Sequence, residues 1–303
     1  MPATGSASAP RLSASHQNNR RKFAGNGAII ETVLKRAHRM IAKWLLQTLI
    51  WIVAVGVLLL APAGTLHWPA AWVFLATFAA IGVAGGWRLA RTDPALLAER
   101  MRPMMRAGQP AADKTFIAVF GATALIWLVV IGLDARWHAS GVPIALQAIG
   151  FAMMVGCSVF IMWVMHENSF ASAVVRLQTE RGHRVVSTGP YAWVRHPMYS
   201  GTILLLVGAS LLLGSWWGVA ISPLFAVLFA VRAGIEERTL IAGLPGYSDY
   251  AARVRYRLAP GFRQGSNRRR QNGLYYGQWP FTERTDAPDQ DLYRRLPLRH
   301  GAL

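Results

Sequence analysis

The run YSGTILLLVGASLLLGSWWGVAISPLFAVLFAV, from Tyr199 to Val231, holds 33 residues without a charged side chain. At about 1.5 Å per residue, one helix of that length reaches about 50 Å, well beyond the ~30 Å hydrocarbon core of a bilayer. Gly214-Ser215 sits at its middle, where a chain can reverse. The run therefore reads as two short helices forming a transmembrane hairpin, the second bent at Pro223. Working outward toward the N-terminus, four more uncharged runs follow the same logic: Trp44 to Ala61, Trp68 to Trp87, Thr115 to Leu133 and Val142 to Met165. Each is near the roughly 20 residues that one crossing requires, and helices of a soluble core rarely stay uncharged for so long. The fold class expected is all-α: a polytopic membrane protein of four transmembrane helices plus a C-terminal transmembrane helical hairpin.

Composition agrees. Of the 303 residues 53% are hydrophobic, yet the formal net charge is +18. A soluble domain seldom combines the two, whereas apolar residues in lipid and basic residues beside anionic headgroups reconcile them. Anionic membrane lipids are thus expected partners. Nucleic acid is not, because no basic stretch lies on a recognisable nucleic-acid module. Cys157 is the only cysteine, which rules out an intrachain disulfide and a cysteine zinc cluster, and no metal site is expected.

Basic residues alternate between the connections. Eight Lys or Arg precede the first span, none lies between Pro62 and His67, six lie between Arg88 and Lys114, and only Arg136 falls between Asp134 and Gly141. This is the positive-inside pattern for an integral membrane protein with both termini cytoplasmic; were the source bacterial, the membrane would be the inner or cell membrane. Four regions are expected. A basic N-terminal region spans 1–43. Within it Ile30, Val33, Leu34, Ala37, Met40 and Ile41 recur at helical spacing, either as an amphipathic surface helix or as an extension of the first span. The four helices span 44–166, a polar core with the hairpin spans 167–263, and a polar tail spans 264–303. Residues 1–27 and the tail read as disordered from composition.

Two polar segments bracket the hairpin, so folding it brings them together at the cytoplasmic face. In the first, Gly189-Pro190 is a turn signal, and Pro197 opens a helix while holding His196 extended just outside it. In the second, Arg232 and Glu236 stand four apart on one helical face and can pair. Carboxylates this close to an embedded helix are costly unless partnered or used. Tyr247 and Tyr250 follow, either as site residues or as interfacial belt aromatics.

The stretch from Asn168 to Gly261 resembles the C-terminal core of the isoprenylcysteine carboxyl methyltransferase and phospholipid methyltransferase superfamily. The matching motifs are Gly189-Pro190-Tyr191, Arg195-His196-Pro197-x-Tyr199-x-Gly201, Glu236-Glu237-x-x-Leu240 and Tyr247-x-x-Tyr250. The resemblance implies an S-adenosylmethionine pocket between the hairpin and the C-terminal segment, open to the cytoplasm, and a lipophilic or lipid substrate arriving from the bilayer. It implies that Gly189, Tyr191, His196, Tyr199, Glu237, Tyr247 and Tyr250 bind the cofactor, and that Arg232 and Glu236 line the meeting point with the acceptor. The acceptor it implies first is a carboxylate, as in isoprenylcysteine carboxyl methylation, which would make Arg232 a bidentate clamp. An amine would make Glu236 or His196 a base. Two other readings compete. An NADPH-dependent sterol-reductase-like enzyme shares a Tyr-rich end similar to Tyr256-Arg257-Leu258-Ala259-Pro260. A non-catalytic lipid-binding protein needs none of these motifs.

Overall fold

The computed structural model describes residues 14–105, 109–172, 174 and 176–259, with side chains from residue 39 onward. Among them the regular elements are α1 (Ala14–Ala63), α2 (Pro69–Thr92), α3 (Pro94–Arg100), α4 (Ala111–Trp137), α5 (Ile144–Glu167), α6 (Pro197–Leu212), α7 (Trp216–Gly243) and α8 (Tyr247–Arg253), with two 3-10 turns and no strand. Five segments are long and apolar enough to cross a bilayer: Arg39–Ala63 of α1, then α2, α4, α5 and α7. The 16-residue α6 is apolar but shorter. This is the all-α polytopic membrane fold expected.

α1 runs unbroken from Ala14, so residues 14–27 are helical where composition suggested irregular chain, and residues 30–41 extend the first span. Once a span is helical, each added residue fixes one bond without a new nucleus, which favours continuation. Residues 1–13 and the tail 264–303 lie outside the described residues.

The outer surface shows lipid-facing chemistry. Leu46, Ile50, Val53 and Val57 of α1 are each 56–58% exposed, as suits a solvent with no hydrogen bonds to offer. The interior cluster joins Leu59, Phe74, Trp127, Ile131, Met154, Leu212, Phe225 and Phe229 from α1, α2, α4, α5, α6 and α7. α5 and α6 approach most closely. A Cβ added to Gly150 would lie 2.5 Å from the Leu212 nitrogen and 2.6 Å from the Gly208 oxygen. Glycine at both positions lets the two backbones touch, the usual device for packing helices in lipid.

The hairpin reverses at Gly214, whose φ of +77° suits glycine. Its N-cap Ser215 accepts from the Gly218 amide at 3.0 Å, and buried Asp134 of α4 accepts from the hydroxyls of Ser140 and Ser215. The arms are unequal, contrary to the reading of two short helices. α7 continues twelve residues past Val231 to Gly243, because Arg232, Glu236 and Glu237 each find a partner there. Charge ended the uncharged run without ending the helix.

For helices that each cross the bilayer, the connections 64–68, 138–143 and 213–215 lie on one side. The connections 93–110 and 168–196 lie on the other, with the chain after α7.

Candidate active site

The chain beyond α8 returns to the start of α6 and is pinned there. The Arg195 and His196 amides donate to the carbonyls of Tyr256 and Arg257, both at 2.9 Å, and the Ser200 hydroxyl donates to the Leu258 carbonyl. Pro197 occupies the first turn of α6 and His196 is its N-cap. The His196 side chain makes no capping bond, so its ring is available elsewhere. Nε2 lies 3.1 Å from Glu237 Oε1 and Nδ1 lies 3.6 Å from Glu236 Oε2. The ring stacks on Tyr199 with centroids 5.3 Å apart. Tyr199 in turn donates to Glu236 Oε2 at 2.6 Å and stacks on Phe229 at 4.8 Å. One turn of α6 and one of α7 thus fix His196, Tyr199 and Glu236 as a unit.

Glu237 is held differently. It is 2% exposed. Arg257 reaches its Oε2 through Nε and Nη2, both at 2.7 Å. Arg195 Nε lies 3.2 Å from its Oε1 as a charge contact. Both oxygens face protein cations, and Glu237 does not line the cleft described below. Its lone pairs tie the returning chain to α6 and α7.

Arg232, expected beside the acceptor, is packed against α4. It is 2% exposed, pairs with Asp113 of α4, and sits over the Phe116 ring with 4.7 Å from guanidinium carbon to centroid. It does not line the cleft. Sequence reading missed Asp113, although one acid at the lip of one span and one base at the lip of another is a legible signal for pairing.

Gly189 adopts φ +55°, and a Cβ there would meet the Glu167 side chain at 2.7 Å. Thr188 beside it donates to Glu167 at 2.7 Å. Glycine lets this turn close over the end of α5, and Gly189 shapes the wall without lining the cleft. Tyr191 follows, its hydroxyl accepting from Asn168 at 2.9 Å and its carbonyl accepting from the Tyr250 hydroxyl at 2.8 Å. The Tyr247 hydroxyl is buried and makes no hydrogen bond among the described residues. Burial, reinforced by nearby carboxylates, pushes the Tyr247 phenol up, and burial likewise raises Tyr191 and Tyr250. All three stay neutral at physiological pH and act as hydrogen-bonding phenols.

These side chains surround a cleft that opens to the surface. Tyr191, His196, Tyr199, Glu236, Tyr247 and Tyr250 line it from the expected set. The connection after α5 supplies walls that the sequence did not announce, including Asn168, Arg176 and His183. Gln178, fully buried, organises that connection by donating to the Phe170 carbonyl at 2.8 Å and accepting from Arg181. Arg176 bonds Glu99 of α3 at 3.0 Å and Glu180 at 2.7 Å. Burial lowers its pKa, but the two carboxylates outweigh this and leave it raised.

Membrane-spanning helices that carry a polar, aromatic cleft at the ends of α6 and α7 define an integral membrane protein with a cleft beside the bilayer surface. A sequence model of the Isoprenylcysteine carboxyl methyltransferase (ICMT) family matches residues 148–242, from α5 through α7. Over this segment, about a third of the chain, the protein is similar to that family. Two curated relatives are more distant. The nickel-cobalt-cadmium resistance protein NccN of Alcaligenes xylosoxydans xylosoxydans is 25% identical over 138 residues, 43% of this chain and 61% of that protein. The cobalt-zinc-cadmium resistance protein CzcN of Cupriavidus metallidurans is 24% identical over 121 residues, 40% of this chain and 52% of that protein. The chain thus spans only about half to three fifths of the length of these relatives.

Proposed function

We propose that the cleft binds S-adenosylmethionine and that the protein transfers its methyl group to a lipophilic acceptor delivered from the bilayer. The observation that carries this reading is the cleft's unused polar capacity. The buried Tyr247 hydroxyl has no protein partner among the described residues, and a buried donor left unpaired costs about 1–3 kcal/mol. A ligand with amino-acid and ribose polar groups fits such a wall.

When bound, the group supplies an electrophilic methyl on a sulfonium. The chain's own residues orient the partners and exclude water, the main protein contributions to an in-line displacement. Tyr199 and His196 hold the Glu236 carboxylate toward the cleft. Tyr191, tied to Asn168 and Tyr250, keeps the opposite wall rigid. Phe229, stacked on Tyr199 and close to Phe116, backs the Tyr199 wall with the apolar interior.

Calorimetric titration of the detergent-purified protein tests the reading. The wild type should bind S-adenosylmethionine, and Tyr247→Phe should weaken binding about three- to tenfold while leaving thermal stability unchanged, the net worth of one hydrogen bond. Binding of NADPH alone would move the protein to the reductase class, and binding of neither would favour a lipid-binding protein.

The site lies on the cytoplasmic side in this reading, from the loop charge alternation. With Cys157 replaced by Ala, a cysteine at Thr65 should react with an impermeant maleimide on intact cells. One at Arg184 should react only after permeabilisation. The reverse pattern would invert the protein.

A further inference from the structure

We propose that the protein holds the phosphate headgroup of an anionic phospholipid in a pocket between α2 and α5, separate from the cleft. The two helices run in the same direction, and both end on the side that carries the connections 93–110 and 168–196. They meet at Gly85, where an added Cβ would lie 3.0 Å from Met162 Sδ. Past that contact, toward their ends, they part. Met162 forms the floor of the opening, with Leu89 and Met165 as apolar walls. Arg88 and Thr92 of α2, His166 of α5 and Ser169 just beyond it line the polar end. That end lies within the last turns of two spans, the level at which a bilayer presents its headgroups. No residue of this pocket lines the cleft.

The electrostatics favour an anion. Arg88 is exposed and has no carboxylate partner among the described residues. The acid at the rim, Asp93, is engaged: its Oδ1 accepts from the Leu96 amide at 2.9 Å and lies 3.9 Å from Arg181. The carbonyls of the two helix ends are engaged as well. Arg88 accepts from the Thr92 hydroxyl, Leu89 from the Asp93 amide and Val164 from the Asn168 amide. A guanidinium fork, a serine hydroxyl and an imidazole N–H then face one space, a donor set that matches phosphate oxygens.

The apolar half of the pocket selects a lipid over a free phosphate. Leu89, Met162 and Met165 offer a dissolved phosphate nothing, whereas the glycerol and first acyl carbons of a phospholipid would lie against them. Trp87, next to Arg88, is 48% exposed and carries the Arg91 guanidinium over its ring at 4.3 Å. That pair sets an interfacial aromatic and a second positive charge at the same level. Ser169 stands between Asn168 and Phe170, which line the cleft, so an occupant would brace the cleft's wall.

The test titrates the full-length protein in nonionic detergent, by calorimetry, with dioctanoyl phosphatidylglycerol, dioctanoyl phosphatidylcholine and inorganic phosphate. The wild type should bind the glycerol lipid about ten times more tightly than the choline lipid, whose ammonium offsets the phosphate charge. Arg88→Gln should remove that preference; micelle partitioning is the same for both proteins, so the difference reports the site. Ser169→Trp, which fills the pocket and keeps every charge, should weaken phosphatidylglycerol binding about tenfold. Arg238→Gln is the control, because Arg238 is exposed on α7, bonds the Gly234 carbonyl of its own helix and lies outside the pocket. It should leave the preference intact. If Ser169→Trp does not fold, the other three proteins still decide. Equal affinity of the wild type for the two lipids overturns the proposal. An equal loss in Arg238→Gln and Arg88→Gln overturns it too, since the effect would then be diffuse surface charge. Inorganic phosphate bound as tightly as phosphatidylglycerol would assign the pocket to free phosphate and overturn the lipid as its occupant.

Discussion

Glu237→Gln is expected to destabilise the protein by about 3–5 kcal/mol, the usual cost of removing one partner from a buried ion pair. Glu237 is 2% exposed and faces Arg195, His196 and Arg257 at 2.7–3.2 Å. Glutamine keeps the shape, but it removes the negative charge and turns one accepting atom into a donor aimed at cations. Two guanidinium groups would be left near each other with no counter-charge. Arg257 belongs to the returning chain that bonds to the Arg195 and His196 amides through its backbone, so the roof of the cleft should loosen with it. The measurement is the thermal midpoint of the purified variant, together with protease sensitivity after Arg253. A midpoint within about one degree of wild type would show that the hub adds little. Glu237 thereby differs from Tyr247, whose loss should weaken ligand binding and spare stability.

Gly150→Leu should be at least as damaging, by more than about 4 kcal/mol, because core overpacking against backbone has no route to relax. The added carbon would meet the Leu212 nitrogen at 2.5 Å and the Gly208 oxygen at 2.6 Å. Neither atom can rotate away as a flexible side chain could. α6 would have to move off α5, carrying His196 and Tyr199 from their partners on α7. Gly156→Leu on the same helix is the control, since nothing lies within 4 Å of a Cβ there. Gel-filtration profile and thermal midpoint of the two variants should diverge sharply. Equal behaviour would mean that the α5–α6 seam tolerates separation.

The number and placement of the spans were legible in the sequence because length and charge are local properties. A bilayer rejects uncharged segments that are too short and tolerates few charges within long ones, so Trp44 to Ala61 or Thr115 to Leu133 announces a span without reference to any neighbour. The turn at Gly214-Ser215 and the helix start at Pro197 were legible for the same reason: glycine and proline act on their own backbone. So were Tyr191, His196, Tyr199, Glu236, Tyr247 and Tyr250 as a group, since a hairpin must bring its two flanks to one side.

What those residues do was decided by tertiary structure. Glu236 and Glu237 are adjacent and chemically identical in the sequence, yet successive helical positions point about 100° apart. One faces the cleft and the other faces Arg195 and Arg257. Arg232 pairs in sequence with Glu236, its neighbour one turn away, but in space Asp113 reaches it from a helix more than a hundred residues earlier. Charge partners separated that far along the chain leave no periodic trace, and a low-dielectric interior makes such a pairing decisive. The sequence by itself determined a membrane protein with a polar site beside its final hairpin. Only the packing of α4 against α7, and of the returning chain against α6, decided which of its charges remain free to meet a ligand.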